Sequence, residues 1–205
     1  GYATGLVTSI ADLGEFDAGD TVQVQFFASG DTNTNGRKPN WQIDSVTLTG
    51  QVLLFGGFGR SDGGFTVTTP LPYDGPWVYD AASSSWRQNG QQAEIGHKTT
   101  SVLSSQVLHV QSAGRVRLSF AHRYSFEFDG TRWDGGQVRV SRNGGPYSAV
   151  PDAAFTQNGY GGQRVAGTSL SDLAGQEAFT AESPGYGNGY VTSVAELGAF
   201  DAGDT

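Results

Sequence analysis

Hydrophobic and polar residues alternate with a period of two along much of this chain, which is the pattern of half-buried β-strands. The alternation is clearest in residues 21–29 and 115–124. In the second segment Val116, Leu118 and Phe120 are separated by arginine and serine. No stretch of ten or more residues keeps a helical period; single helical turns are predicted at 152–155 and 169–173. The pattern therefore predicts an all-β protein, built as an antiparallel β-sandwich.

Further strands are predicted wherever short apolar runs are bounded by glycine, proline or asparagine. They cover residues 7–10, 41–49, 51–55, 65–69, 101–110, 137–141 and 190–194. The sequence RNGG at 142–145 predicts a tight hairpin, because Asn and Gly adopt the positive φ angles that such turns need, and residues 146–150 form its returning arm. The parity of apolar positions changes within 41–49, which predicts a bulge near Asp44 or Ser45.

The first 21 residues recur near the other end of the chain. Residues 1–21 and 185–205 match at 15 of 21 positions without a gap. The offset of 184 residues is far longer than the roughly 20–50 residues of solenoid repeats, so each repeat is expected to be a whole domain. We interpret residues 1–50 as the C-terminal strands of one repeat and 51–205 as most of the next. A local duplication, or a permuted domain whose first strand is copied at its end, is the alternative.

This division leaves the second repeat without the equivalents of residues 22–50, and a sandwich that lacks two strands exposes unpaired backbone. Residues 22–50 have the sequence to fill that gap, from the same chain or from a neighbouring copy. Consecutive complete domains in one long chain are one arrangement. Strands donated between subunits, which build a non-covalent fibre, are the other.

Composition excludes several kinds of chemistry. The chain has no cysteine, which rules out disulfides, thiolate zinc sites and a cysteine nucleophile. Twenty acidic residues against twelve basic ones give a net charge of -8 and no electrostatic footprint for nucleic acid. No apolar run approaches the roughly 18 residues needed for a membrane span, so none is expected in this segment.

A candidate cation site lies in the glycine-bounded segment 31–36. Oxygen-bearing side chains stand at alternate positions, as in calcium-binding loops: Asp31, Asn33 and Asn35. An EF-hand is rejected, because Gln42 stands where its bidentate glutamate would be and no helices flank the loop. A loop of a β-sandwich that binds calcium remains, with Asp44 as a further ligand. Turn formation by Asp and Asn is the alternative explanation.

The central part of the chain resembles a known family. Residues 118–127 (LSFAHRYSFE), 134–138 (DGGQV) and 141–145 (SRNGG) are similar to the MAM-like jelly-roll modules of secreted bacterial proteins, which commonly trail metallopeptidases of the immune inhibitor A kind. The closing motifs AGDTV and WQIDSV stand at 18–22 and 41–46, so the order is shifted. Asn143 replaces an aspartate that the family often has. The resemblance implies a secreted jelly roll, with a second candidate cation set at Glu127 and Asp134 around the loop 128–133.

Catalytic motifs are absent from the sequence. The three histidines form no H-E-x-x-H pattern, and there is no G-x-S-x-G or phosphate-binding loop. His122 has the inward parity of its strand and is predicted to be a core histidine. We expect no enzymatic activity.

Carbohydrate binding is the main rival function, because β-sandwich modules stack aromatic rings on sugars. The candidate rings are Trp133, Trp77 and Tyr79, whereas Trp41 and Trp86 are predicted to be core residues. The favoured interpretation is a structural or adhesive module of an extracellular or cell-surface tandem-repeat protein, a filament, stalk or adhesin whose partners are neighbouring copies. An accessory or carbohydrate-binding module of a secreted hydrolase, with glycans as ligands, is the alternative.

Overall fold

A computed structural model describes residues 7–32, 36–49, 58, 61–68, 75–88, 97–110 and 114–186. In these ranges the chain forms twelve strands and one short 3-10 helix, Asp152–Ala154. The strands are β1 Val7–Phe16, β2 Thr21–Gly30, β3 Trp41–Thr49, β4 Thr66–Thr68, β5 Trp77–Asp80, β6 Ser85–Gln88, β7 Thr99–Ser104, β8 Leu108–His109, β9 Gly114–Tyr124, β10 Gly135–Arg142, β11 Ser148–Ala149 and β12 Phe155–Gln157.

The strands form two antiparallel sheets that pack against each other. The first sheet has the order β12-β1-β9-β3-β6-β5, and the second has the order β11-β10-β2-β7-β4, with β8 also paired to β2. The prediction of an all-β sandwich is confirmed. Within the described ranges, no helix has the length and apolar character that crossing a membrane requires.

The core between the sheets is centred on Trp41 of β3, whose side chain is fully buried. Its ring lies 5.8 Å from that of Phe26 in the opposite sheet and 5.4 Å from that of Trp77. Phe26 also packs edge-on against Phe120 of β9, at 5.2 Å between ring centroids. Trp41 and Trp86 are both core residues, as predicted. The aromatic rings thus join the two sheets directly.

The first three strands are integral to this sandwich. β2 lies between β10 and β7 in the second sheet, and β3 lies between β9 and β6 in the first. The alternation of buried and exposed residues along β2 follows the predicted period of two until Phe26. In this structure residues 21–49 thus supply one internal strand to each sheet.

Local predictions agree with the structure at most, but not all, positions. The bulge in β3 is confirmed by a register shift after Asp44 and by Ser45 at φ 53°. The hairpin turn is confirmed by Asn143 and Gly144, both with positive φ. The strands predicted at 51–55 and 190–194 lie outside the described residues.

The single strand predicted at 101–110 is wrong, because the chain leaves the ladder at Ser105 and forms β7 and β8 instead. There the Ser105 hydroxyl accepts the N–H of Val24 at 3.0 Å. Three short strands, β5, β6 and β12, were not predicted from the sequence. Each has three or four residues, too few to show alternation.

His122 of β9 is fully buried, as predicted for a core histidine. The Trp41 indole donates to its Nδ1 at 3.0 Å, so Nε2 carries the proton and faces the Ser9 hydroxyl at 2.5 Å. That hydroxyl in turn donates to the carbonyl of Asn158. Burial lowers the pKa of His122 well below its usual value.

We expect His122 to make the protein sensitive to acid. A histidine that stays neutral in the folded state but takes up a proton when unfolded, near pH 6.5, costs stability as pH falls below that value, by about 1.4 kcal/mol per pH unit. His122→Gln keeps one acceptor and one donor but does not titrate. Urea unfolding between pH 7 and 5 should give a steeper loss of unfolding free energy for the parent than for the variant. Equal slopes would contradict the assignment.

Candidate metal centre

Three carboxylates meet at one end of the sandwich. Asp31 directly follows β2, and Asp134 directly precedes β10; Ser29 pairs with Gly135, which brings these two strand ends together. Glu127 follows β9, which belongs to the other sheet. One oxygen from each of Asp31, Glu127 and Asp134 lies within 4.8 Å of the other two. The acidic triad, as we call these three residues, therefore spans both sheets.

Asp134 is the most constrained member of the acidic triad, because its side chain is fully buried. Its Oδ1 accepts the backbone N–H of Asp31 at 2.9 Å. Its Oδ2 is buried and has no hydrogen-bond partner among the described residues. A buried carboxylate oxygen without a partner is costly, and a bound ion or water is a common explanation.

Burial raises the pKa of Asp134 to about 8, and the neighbouring carboxylates of Asp31 and Glu127 act in the same direction. The N–H of Asp31 and the nearby Lys38 ammonium oppose this rise. With no cation bound, Asp134 is thus mainly protonated at neutral pH. A cation that binds there displaces this proton.

Lys38 determines the charge balance of the site. Its ammonium donates to Asn40 Oδ1 at 2.7 Å, and burial lowers its pKa while the charge of Asp134 raises it. When all groups are ionised, three carboxylates and one ammonium leave two negative charges. A divalent cation would neutralise that remainder.

A small cavity of about 10 Å³ adjoins Asp134 and is lined by Gln88, among other residues. Gln88 Oε1 is buried too, without a hydrogen-bond partner in the described ranges. A volume of this size holds about one water molecule or one ion. Asp134 and Gln88, each with one buried side-chain oxygen that has no partner among the described residues, therefore both line a cavity whose size suits a single small ligand.

The chain segment that follows the Asp31 loop is fastened to the end of β9. Ser125 accepts the Arg37 N–H on its hydroxyl at 2.9 Å, and its carbonyl accepts a bond from the Asn40 side chain at 2.7 Å. A Cβ at Gly36 would lie 1.9 Å from the Ser125 carbonyl oxygen. Only glycine allows this approach, which holds the Asp31 side of the site against Glu127.

The structure unites the two candidate sets that the sequence kept apart. Asp31 from the first set and Glu127 and Asp134 from the second form one cluster. Asp44 is not part of it: it lies in β3 opposite Ala121 and accepts a bond from the Ser45 hydroxyl at 3.1 Å. Asn33 and Asn35 lie outside the described residues. Lys38 and Gln88 were not predicted as site residues, because neither stands in a recognisable ligand spacing.

The aromatic residues proposed for sugar binding lie in different environments. Trp77 is 2% exposed and packs on Trp41, so its ring faces the core. Tyr79 donates its hydroxyl to the Phe58 carbonyl at 2.6 Å. Trp133 is partly exposed, and its indole donates to Asp129 Oδ1 at 3.0 Å. Of these three rings, only Trp133 lies in a surface loop beside the acidic triad.

No family model, curated protein or solved structure matches this chain. The function proposed below therefore rests on the sequence and on the contacts described above.

Proposed function

We propose that this chain is a non-enzymatic structural or adhesive module of an extracellular tandem-repeat protein, stiffened by calcium at Asp31, Glu127 and Asp134. The observation that carries the proposal is the buried Asp134 Oδ2, which lacks a partner among the described residues and lies in a carboxylate cluster between strand ends of both sheets. An ion at this position would tie β2 and β10 to β9. The proposed role of the ion is mechanical.

Calcium is the cation that best fits these donors. The acidic triad offers only oxygen atoms, which hard cations prefer, and calcium takes six to eight of them. Gln88 Oε1, backbone carbonyls and water would complete the shell. Extracellular modules bind calcium weakly, with Kd on the order of 0.1–1 mM, which matches a calcium-rich medium outside the cell.

The internal repeat supports the tandem part of the proposal. A second copy of residues 1–21 at an offset of 184 residues favours length or multivalency over a single reactive site. The resemblance to secreted MAM-like modules points in the same direction. A filament, stalk or adhesin made of such modules is the corresponding assembly.

The alternative is a carbohydrate-binding or accessory module of a secreted hydrolase. The loop that carries Trp133 also presents Phe128, whose side chain is 51% exposed and lies under the Arg132 guanidinium at 5.0 Å. Two accessible rings in one loop favour contact with a sugar. Glycan-array binding that is lost in Trp133→Ala would support this alternative, and an array with no binding by the parent would contradict it.

Removing calcium should lower the melting temperature of the parent. At 10 mM free calcium a Kd of about 0.1–1 mM contributes roughly 1.4–2.7 kcal/mol, which is about 3–10 °C for a chain of this size. Asp134→Asn should melt at one temperature with or without chelator. The metal-free variant should be nearly as stable as the metal-free parent, since Asp134 is already mainly protonated there.

Asp44→Asn is the matched control, because Asp44 lies outside the acidic triad. It should keep the full response to chelator. A parent whose melting temperature does not change on chelation contradicts the calcium site, and so does an Asp134→Asn variant that still responds.

A further inference from the structure

The position of β1 in the first sheet is defined by a small number of buried contacts. β1 lies between β9 and β12, a position that we call the β1 slot. Over residues 8–21, the buried side chains are Ser9, Ala11, Phe16 and Asp20. Ser9 faces His122, and Ala11 pairs with Leu118 of β9 and with Phe155 of β12.

The sequence of residues 191–205 repeats that of residues 7–21 at every one of these buried positions. Ser193, Ala195, Phe200 and Asp204 are identical to Ser9, Ala11, Phe16 and Asp20. The buried positions of the β1 slot are thus the same in both copies, as are seven of the ten less buried positions between residues 8 and 21.

The three differences between residues 7–21 and their copy fall at positions that are not buried, and they read Ile10/Val194, Asp12/Glu196 and Glu15/Ala199. The change from Asp12 to Glu196 keeps the carboxylate, which in Asp12 pairs with Arg115 at 2.8 Å. The change from Glu15 to Ala199 removes an exposed side chain. Glu15 contacts Arg142 through its backbone carbonyl, which alanine also has. Each difference is compatible with the same position in the sheet.

The copy also keeps the glycine at which the backbone of β1 is irregular. The register of β1 against β9 shifts between Asp12 and Glu15. Within this bulge Gly14 has a φ angle of +91°, which residues other than glycine rarely adopt. Gly198 stands at the equivalent position of the copy. The copy therefore has a glycine where a strand paired to β9 in this register needs one.

We propose that residues 191–200 are a second β1, which binds the β1 slot of a second copy of this module. The slot of their own chain is already filled by residues 7–16, so the partner is another copy, which either follows in the same chain or belongs to another chain. The inference deepens the proposed function, on whose tandem-repeat part it rests, by naming the contact that joins neighbouring modules.

Tyr186 is anchored close to the residues that pair with the start of β1. The Tyr186 ring lies 5.1 Å from the Arg123 guanidinium, and its hydroxyl donates to the Pro39 carbonyl at 2.8 Å. Arg123 is adjacent in sequence to His122, which pairs with Val7 at the start of β1 in the β1–β9 register. Residues 187–190 alone separate Tyr186 from Val191 and span at most about 17 Å. Residues 191–200 therefore follow closely after a residue that is anchored beside the start of the β1 slot.

The first test asks whether the copy can replace β1 in the full chain. Ala11→Asp buries an unpaired carboxylate in β1 and should disable it. The copy should then fill the slot, and the variant should unfold cooperatively within about 5 °C of the parent, a difference of roughly 1–2 kcal/mol. Ala195→Asp alone should melt like the parent, whereas the double variant should lose cooperative unfolding. If Ala11→Asp is as unstable as the double variant, the copy is not a second β1.

The second test identifies the partner by a disulfide, which is unambiguous because the chain has no cysteine of its own. Ile10 lies opposite Ser119 in the β1–β9 register, so Val194 of a bound copy would do so too. Antiparallel partners of this kind are close enough for a disulfide. The acceptor is the full-length double variant with Ser119→Cys, and the donor is the full chain with Val194→Cys.

After the two chains are refolded together and oxidised, we expect a disulfide-linked dimer. A donor that also carries Ala195→Asp should give at least about tenfold less dimer. Equal amounts from both donors would overturn the proposal. The experiment is run with calcium and with chelator. Dimer formation without any effect of calcium on the melting temperature contradicts only the proposed cation site. Stabilisation by calcium without dimer formation contradicts only strand binding.

Discussion

Replacing Trp41 with alanine should lower the free energy of unfolding by about 3–5 kcal/mol, the range for removing a fully buried large aromatic side chain. The Trp41 ring contacts Phe26 from the opposite sheet and Phe179 from the loop region beyond β12, at 5.8 and 5.9 Å. Its removal leaves a cavity at the point where the sheets meet. It also deprives His122 Nδ1 of the hydrogen bond that fixes its tautomer.

Urea unfolding of Trp41→Ala and Val78→Ala gives the comparison. Val78 lies in β5, near the edge of the same sheet, and is 51% exposed, so its truncation should cost less than about 0.5 kcal/mol. A loss of under 1 kcal/mol for Trp41→Ala would mean that the core is not organised around this residue.

Replacing Gly36 with alanine should be nearly as damaging, at about 3 kcal/mol, because the new methyl group cannot be accommodated. Its carbon would lie 1.9 Å from the Ser125 carbonyl oxygen and 2.6 Å from the Asn40 amide nitrogen. The first of these atoms belongs to the backbone, so relief requires the chain to move away from β9. That movement separates Asp31 from Glu127.

Gly36→Ala should therefore also reduce the stabilisation by calcium, which a purely local clash would leave intact. Gly167→Ala is the control, since a Cβ added at Gly167 would meet no atom within 4 Å and its backbone is not left-handed. It should be neutral or slightly stabilising. Equal melting temperatures for the two variants would contradict the close approach of Gly36 to Ser125.

The strands that could be predicted are those long enough to show a period. β9 alternates from Arg115 to Tyr124 and β10 from Gln137 to Ser141, and the RNGG turn that follows fixes where the hairpin reverses. β5 and β6 have four residues each, and their place in the sheet follows from the pairing of β6 with β3 and of β5 with β6 rather than from their own sequence. The break at Ser105 depends on Val24, 81 residues earlier, and no local pattern contains it.

The residue types of the acidic triad were predictable from the sequence, but their assembly was not. Asp31 and Asp134 are 103 residues apart, and only the register of β2 against β10 brings them together. Asp44 is a candidate ligand by sequence, because it is acidic and close to Asp31 along the chain, but Ser45 holds it at the bulge of β3 instead. Gln88 carries no charge and stands in no motif, so its position beside Asp134 is apparent only from the cavity that both residues line.

Equilibrium dialysis measures calcium binding to the acidic triad without relying on stability. At 5 mM free calcium the parent and Asp44→Asn should each retain about one ion per chain, and Asp134→Asn should retain almost none, since a Kd on the order of 0.1–1 mM gives near-complete occupancy. No bound calcium in the parent, or equal binding by Asp134→Asn, would contradict the account.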